Sequence, residues 1–183
     1  MKRHAWILLA LGLGLAIPGC ILTSAQIEIS FDLPDATGIT TTGLASQWID
    51  LNTESEYTDN KDKIADVIDL SVLGRITNND TNPLKVELWM TPDSTAYTTE
   101  VLLKADPKVV KLWGPLSVAA GPGAIHLIDW NESAKLFQSA GKTVLINETK
   151  GDGKFTVYAI GSTGTYDFSI TKGALVLVLD AKK

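Results

Sequence analysis

The chain has 183 residues, of which 45% are apolar and 20% charged, with a net charge of −5, one cysteine and two histidines. That length suits one domain with a real core. The acid excess argues against nucleic acid as a partner, because affinity for it comes largely from Lys and Arg on phosphates. A single cysteine excludes an internal disulfide framework.

Met1-Lys2-Arg3-His4 is a short basic start, and an uncharged, leucine-rich run follows from Ala5 to Pro18. The run is about 14 residues long, short of the ~20 that a spanning helix needs. Basic start, short apolar stretch and a small residue near a cut site describe a secretory signal peptide. The run ends Leu15-Ala16-Ile17-Pro18-Gly19-Cys20. This ending resembles the lipobox of bacterial lipoproteins, with aliphatic Ile17, small Gly19 and then Cys20; Pro18 stands where Ala or Ser is usual. The resemblance implies a diacylglyceryl group on the Cys20 sulfur, cleavage by signal peptidase II just before it, and acylation of the new amine. Two or three acyl chains give stable anchoring, at about 0.8 kcal/mol per buried CH₂.

Residues 1–19 are therefore expected to be a signal peptide, 20–25 a short lipidated tether and 26–183 a single domain. Without Lys2 and Arg3 the 16 basic residues fall to 14, against 21 acidic ones. That surface also disfavours binding of anionic lipid heads by the domain itself. Ile21 lacks the Asp that resembles an inner-membrane retention signal, which favours the outer membrane in a cell that has one.

Gln26 to Leu33 alternates polar and apolar residues, the pattern of a half-buried strand, and Pro34 ends it. Asp35 to Gly43 reads as a loop or weak strand, Gln47 to Leu51 as a strand, and Asn52 to Lys63 as polar turns with a helical turn around Asp59 to Ile64. A long strand is expected from Val67 to Asn78. The turn cluster Asn78-Asn79-Asp80-Thr81-Asn82-Pro83 then leads into Leu84 to Met90. These two strands are the best candidates for an adjacent antiparallel pair.

Thr98 to Ala105 fits helix or strand, and short strands follow at Lys108 to Trp113, Leu116 to Ala120 and Ala124 to Trp130. Asn131 has the character of a helix N-cap for Glu132 to Ser139, with Gly141 as the stop. Thr143 to Asn147, Lys154 to Ile160, Thr165 to Ile170 and Ala174 to Leu179 complete the strands. The whole predicts an all-β, antiparallel β-sandwich of about eight or nine strands with one short helix. A closed barrel is the alternative.

Signals for chemistry are sparse. Beyond the signal segment His126 is the only histidine, placed on the solvent face of its strand, opposite in phase to Ile125 and Leu127. Zinc needs several His or Cys ligands, and no Gly-x-Ser-x-Gly elbow marks a nucleophile. Asp50, Asp59 and Asp62 lie in an acidic stretch whose oxygens are candidates for calcium, although the order is not that of an EF-hand. Trp48, Trp89 and Trp113 are candidate ligand-binding residues. Trp89 shares a strand face with Lys85 and Glu87, and Trp48 lies on the face of Asp50, positions from which a ring can stack on a sugar or a partner.

The reading that follows is a membrane-anchored, non-enzymatic binding or structural module of the cell envelope. Its partners would be the membrane, through lipid on Cys20, and an envelope protein or a glycan, with calcium as the one cofactor the acids admit. A carbohydrate-binding module and a carboxylate-based hydrolase are the alternatives.

Overall fold

The structure is a computed structural model that describes residues 24–33, 44–161 and 167–182. The signal segment, Cys20 and the stretch 34–43 lie outside the described residues. Within them the strands are β1 (Ser24–Leu33), β2 (Ala45–Asp50), β3 (Ile64–Asn78), β4 (Leu84–Thr91), β5 (Val110–Val118), β6 (Ala124–Ile128), β7 (Lys154–Gly161) and β8 (Phe168–Lys182). The helices are α1 (Ser55–Thr58), α2 (Glu100–Ala105), α3 (Trp130–Lys135) and α4 (Ser139–Lys150).

The expected antiparallel sandwich is present. One four-stranded sheet has the order β1-β8-β3-β6 and the other β2-β7-β4-β5. The pairs β1:β8, β2:β7, β3:β6 and β4:β5 nest about the β4–β5 connection, as in one long hairpin. The pairs β3:β8 and β4:β7 then roll that hairpin into two facing sheets. This is the jelly-roll arrangement, eight strands in a rolled double sheet.

The nesting corrects one expectation. β3 and β4 do not pair; the turn between them carries the chain from one sheet to the other. Buried Asn78 fixes that crossing. Its side-chain amide donates to the Asn82 and Ala119 carbonyls at 2.8 and 2.9 Å, and its oxygen accepts the Asp80 N–H at 2.9 Å. The side chain thus replaces the ladder bonds that a tight hairpin would have made.

Inward-facing residues of both sheets form the core. Ile29, Leu70 and Leu177 make one buried row across the first sheet, and Ile49 with Phe155 and Met90 with Val157 make rows across the second. β5 joins two segments expected as separate strands, and Gly114 lies at the join with φ 96°. A Cβ there would stand 2.7 Å from the Val86 carbonyl oxygen, so only glycine fits the irregularity.

The helices sit where strand pairing runs out. β6 pairs only with Gly74 to Asn78, leaving the first two-thirds of one β3 edge without a strand. α3 and α4 cover it. The Val72 N–H donates to Ser133 Oγ at 2.6 Å, Trp130 Nε1 to Asp69 Oδ2 at 3.1 Å, Lys142 Nζ to the Ile68 carbonyl at 3.4 Å and Lys150 Nζ to the Ala65 carbonyl at 3.2 Å. Between the helices, the Gly114 N–H donates to the Leu136 carbonyl and the Gln138 N–H to the Leu112 carbonyl, both at 2.9 Å, so this segment protects the β5 edge as well.

The expected strand at Thr143 to Asn147 is therefore helix, and Gly141 is inside α4 rather than past a helix end. The cap also moves: Asp129, not Asn131, accepts the Glu132 N–H and starts α3 at Trp130. Four short helices stand where one was expected, and α3 and α4 are there because edge coverage rather than local periodicity selects them.

Two substitutions test this closure. Ser133→Ala orphans the buried Val72 N–H and should lower unfolding stability in urea by about 1–3 kcal/mol. An unchanged midpoint would remove Ser133 from that role. Gly141→Ala should also destabilise, although alanine gains about 1 kcal/mol in an ordinary helix. Its Cβ would meet the Lys111 carbonyl oxygen at 2.5 Å and Leu112 Cα at 2.6 Å.

Candidate functional site

The outer face of the β2-β7-β4-β5 sheet gathers two of the three tryptophans singled out from the sequence. Strand alternation turns Trp48, Thr156, Tyr158, Trp89 and Glu87 away from the core. Trp48 stands opposite Thr156, and Trp89 opposite Tyr158 and Lys111. Most of this face is not open. The long β4–β5 connection, carrying α2, folds back over it, and Leu103, Val109, Tyr158 and Ile160 form a second buried cluster with Leu44, Trp89 and Tyr97 against it.

Polar anchors hold this lid. Asp93 Oδ1 accepts the Thr95 N–H at 3.0 Å and the Thr91 hydroxyl at 3.2 Å, and the Thr156 hydroxyl donates to the Asp93 carbonyl at 2.8 Å. The Tyr158 hydroxyl donates to the Thr95 carbonyl. The Tyr97 hydroxyl donates to Asp106 Oδ2 at 2.7 Å, and its ring meets Tyr158 edge-on at 5.5 Å. The hydrogen bonds from Thr95 hold the Asp93 carboxyl below its usual range, and the Lys108 N–H does the same for Asp106. Burial first, and the Asp106 hydrogen bond second, push the Tyr97 phenol up to about 12.

Trp89 is clamped. Its Nε1 donates to Glu87 Oε2 at 3.0 Å, while Lys104 and Lys111 lie 5.0 and 5.4 Å from the ring centre, within cation–π range. Lys111 also reaches Glu87 Oε1 at 2.7 Å, and Lys104 pairs with Glu100. The ring that the sequence offered for ligand stacking is thus occupied by the protein's own lysines. Trp113 is a clearer correction. It is 1% exposed, and its Nε1 donates to the Ser133 carbonyl at 2.9 Å and to Ser133 Oγ at 3.0 Å. It is a core residue joining the sheets and has no face to give a ligand.

Trp48 differs from the others. It is 41% exposed, and among the described residues its indole N–H donates to no protein group. Trp89, Trp113 and Trp130 donate to Glu87, Ser133 and Asp69. Trp48 is the one described tryptophan with both ring surface and N–H left over.

The acidic candidates do not converge. Asp50 caps the turn Leu51–Thr53, accepting from the Asn52 N–H at 3.0 Å and from Asn52 Nδ2 at 2.8 Å, with Lys154 Nζ 3.4 Å away. Asp59 closes α1 and Asp62 sits exposed in the next turn. Among the described residues no group of three or more His, Cys, Asp or Glu is placed to hold a metal ion. Asp50 is used as a cap and an ion-pair partner.

His126 is also turned round. It pairs with core residue Ile76 and is half-buried, bonded to Glu132 Oε2 at 2.8 Å, whereas Ile125 and Leu127 are 53% and 68% exposed. The phase read from the sequence is right and the sides are exchanged, because α3 brings a polar partner to the inner side of β6. Sequence reasoning missed the lid residues Tyr97 and Lys104 and the β7 residue Tyr158 beneath them. The available signal was the continuous burial-prone run Phe155 to Ile160, too apolar for a strand with one wet face.

No family model matches the chain, and no curated protein matches it. Among solved structures, a chain from Desmodium yellow mottle tymovirus is similar over 87% of this chain and 88% of its own, at 12% identity and a TM-score of 0.35.

Tyr97 offers a pH test of the lid. A phenol raised from about 10 to about 12 contributes stability that is complete below pH 10 and is lost as pH rises toward 12. Burial also raises the Tyr57 and Tyr158 phenols, so ultraviolet titration should show several late tyrosines, and Asp106→Asn should move the Tyr97 part of that signal to lower pH. A titration identical in the two proteins would break the Tyr97–Asp106 assignment.

Proposed function

We propose that the chain is a bacterial lipoprotein, exported, cut before Cys20 and held to a membrane by lipid on that cysteine. Its jelly-roll domain then serves as a non-enzymatic binding or structural module of the cell envelope. The observation that carries this reading is the run Ile17-Pro18-Gly19-Cys20 set four residues ahead of β1, which begins at Ser24. Cys20 is the only cysteine, so lipidation competes with no disulfide. The tether is shorter than the sequence suggested, and four extended residues reach about 14 Å. The module reading draws on the same residues as the site: the polar groups of the outer sheet face are spent on holding a lid, and its carboxylates are caps and ion-pair partners.

A second reading, carbohydrate binding, is favoured by one observation, the exposed ring of Trp48. Ile21 after the cysteine favours the outer membrane in a two-membrane cell.

Membrane fractionation with mass analysis of the amino-terminal peptide tests the anchor. The wild type should sediment with membranes and carry a lipid-modified Cys20, and Cys20→Ser should move to the soluble fraction. A Cys20→Ser protein that stays with the membranes would overturn the reading.

A further inference from the structure

We propose that Trp48 seats in the lipid–water interface and sets the sandwich on the membrane by its β1–β2 side. This rests on the lipid anchor at Cys20. Three observations place the residue there.

The first is position across the sandwich. β5 and β6, the last strands of the two sheets, touch each other on the side where α3 and α4 pack. The opposite terminal strands, β1 and β2, therefore share the other side. α1, which follows β2, packs against β1 and confirms their nearness.

The second is position along the sandwich. Ser24 pairs with Lys182 beside Ile64, the start of β3, and Asp50 pairs with Lys154, just past the α4 end whose Lys150 reaches Ala65, so Ser24 and Asp50 lie at the same end. Trp48 is two residues before Asp50. The tether therefore joins the domain at the end and side that carry Trp48, and its roughly 14 Å reach keeps that corner close to the lipid.

The third is chemistry. An exposed ring whose N–H has no partner among the described residues suits a boundary that is apolar on one side and wet on the other, where tryptophans concentrate. The residues before it, Ala45, Ser46 and Gln47, are exposed and uncharged. The nearest acid on the strand, Asp50, is already engaged by Asn52 and Lys154. The contact is thus one of ring burial, which a zwitterionic surface satisfies and which a domain with an excess of acidic residues can make without attraction to anionic heads. Val101 and Leu102, more exposed still, belong to α2 on the lid and not to β1 or β2.

The experiment uses full-length, lipidated protein reconstituted into phosphatidylcholine vesicles with plain or brominated acyl chains. Wild-type tryptophan emission should fall in the brominated vesicles, and Trp48→Phe should abolish that loss, since Trp113 is buried and half-buried Trp89 and Trp130 are held by Glu87 and Asp69 away from the β1–β2 side. Vesicle flotation reports anchoring separately. If both proteins float and show equal emission losses, or none, the Trp48 proposal is overturned while the anchor stands. If neither floats, the anchor reading falls and this proposal with it. Emission changed by a soluble envelope glycan, with no bromolipid effect, would assign Trp48 to carbohydrate instead.

Discussion

Closure of the sandwich on its helical side depends on one buried hydroxyl. Ser133 Oγ accepts the Val72 N–H of one sheet and the Trp113 Nε1–H of the other. A jelly roll requires each strand of the rolled hairpin to find its partner, and here β6 spans five residues while β3 spans fifteen. The unmatched length of β3 would leave unpaired N–H and C=O groups beside an apolar core, each costly to bury. α3 and α4 meet that demand with side chains instead of a ladder. Ser133 is the member of that set that is fully buried and that touches both sheets.

The other constraint is burial of the β2-β7-β4-β5 sheet on both faces. Along β7, Phe155 and Val157 are buried toward the sandwich core, and Thr156, Tyr158 and Ile160 toward the lid. A lid lying on a sheet needs anchors for its own backbone, and Asp93, Thr95 and Asp106 supply them. That use of polar residues explains why carboxylates and tyrosines gather on this face without forming a reactive pair. It also explains the different fates of Trp89 and Trp48. Trp89, opposite Tyr158, falls against the lid between Lys104 and Lys111, whereas Trp48, on the edge strand, stays outside it.

Period-2 alternation made the strands legible, and with them the sandwich class. It worked best for β1 and β4, where one face is wet or where polar residues mark the outer positions. It did not reveal topology: Asn78 to Pro83 looks like a hairpin turn because turn composition is the same whether the chain stays in its sheet or crosses over. Thr143 to Asn147 has strand-like β-branched content, yet helix packing against β5 and β3 overrides that weak preference. His126 illustrates the limit of phase. Alternation groups residues by side but cannot tell which side is inside when the partner that satisfies a histidine, Glu132, comes from another element. Trp113 failed for the same reason, since the Ser133 acceptors that let an indole be buried lie twenty residues on. In the acidic stretch Asp50 serves as a cap, a local role that composition does not separate from metal ligation.

Edge management ties the fold to the proposed orientation. Exposed sheet edges invite pairing with other chains. The β3 edge is covered by α3 and α4, the β5 edge by Leu136 to Gln138, and β6 is too short to offer much. β1 instead carries Gln26, Glu28, Ser30 and Asp32 as exposed residues, with an acid at every fourth position. β2 has an uncharged exposed stretch, Ala45 to Trp48, and short β6 has another at Ile125 to Leu127, on the opposite side of the sandwich. On a domain anchored as proposed, the β2 stretch is the uncharged edge segment on the tethered side, where a lipid surface would cover it. Under the proposed anchor, a short tether and the bareness of β2 are two parts of one arrangement: a strand edge left uncharged is tolerable where an anchor holds it against a membrane, and it would be a liability on a domain free to turn in solution.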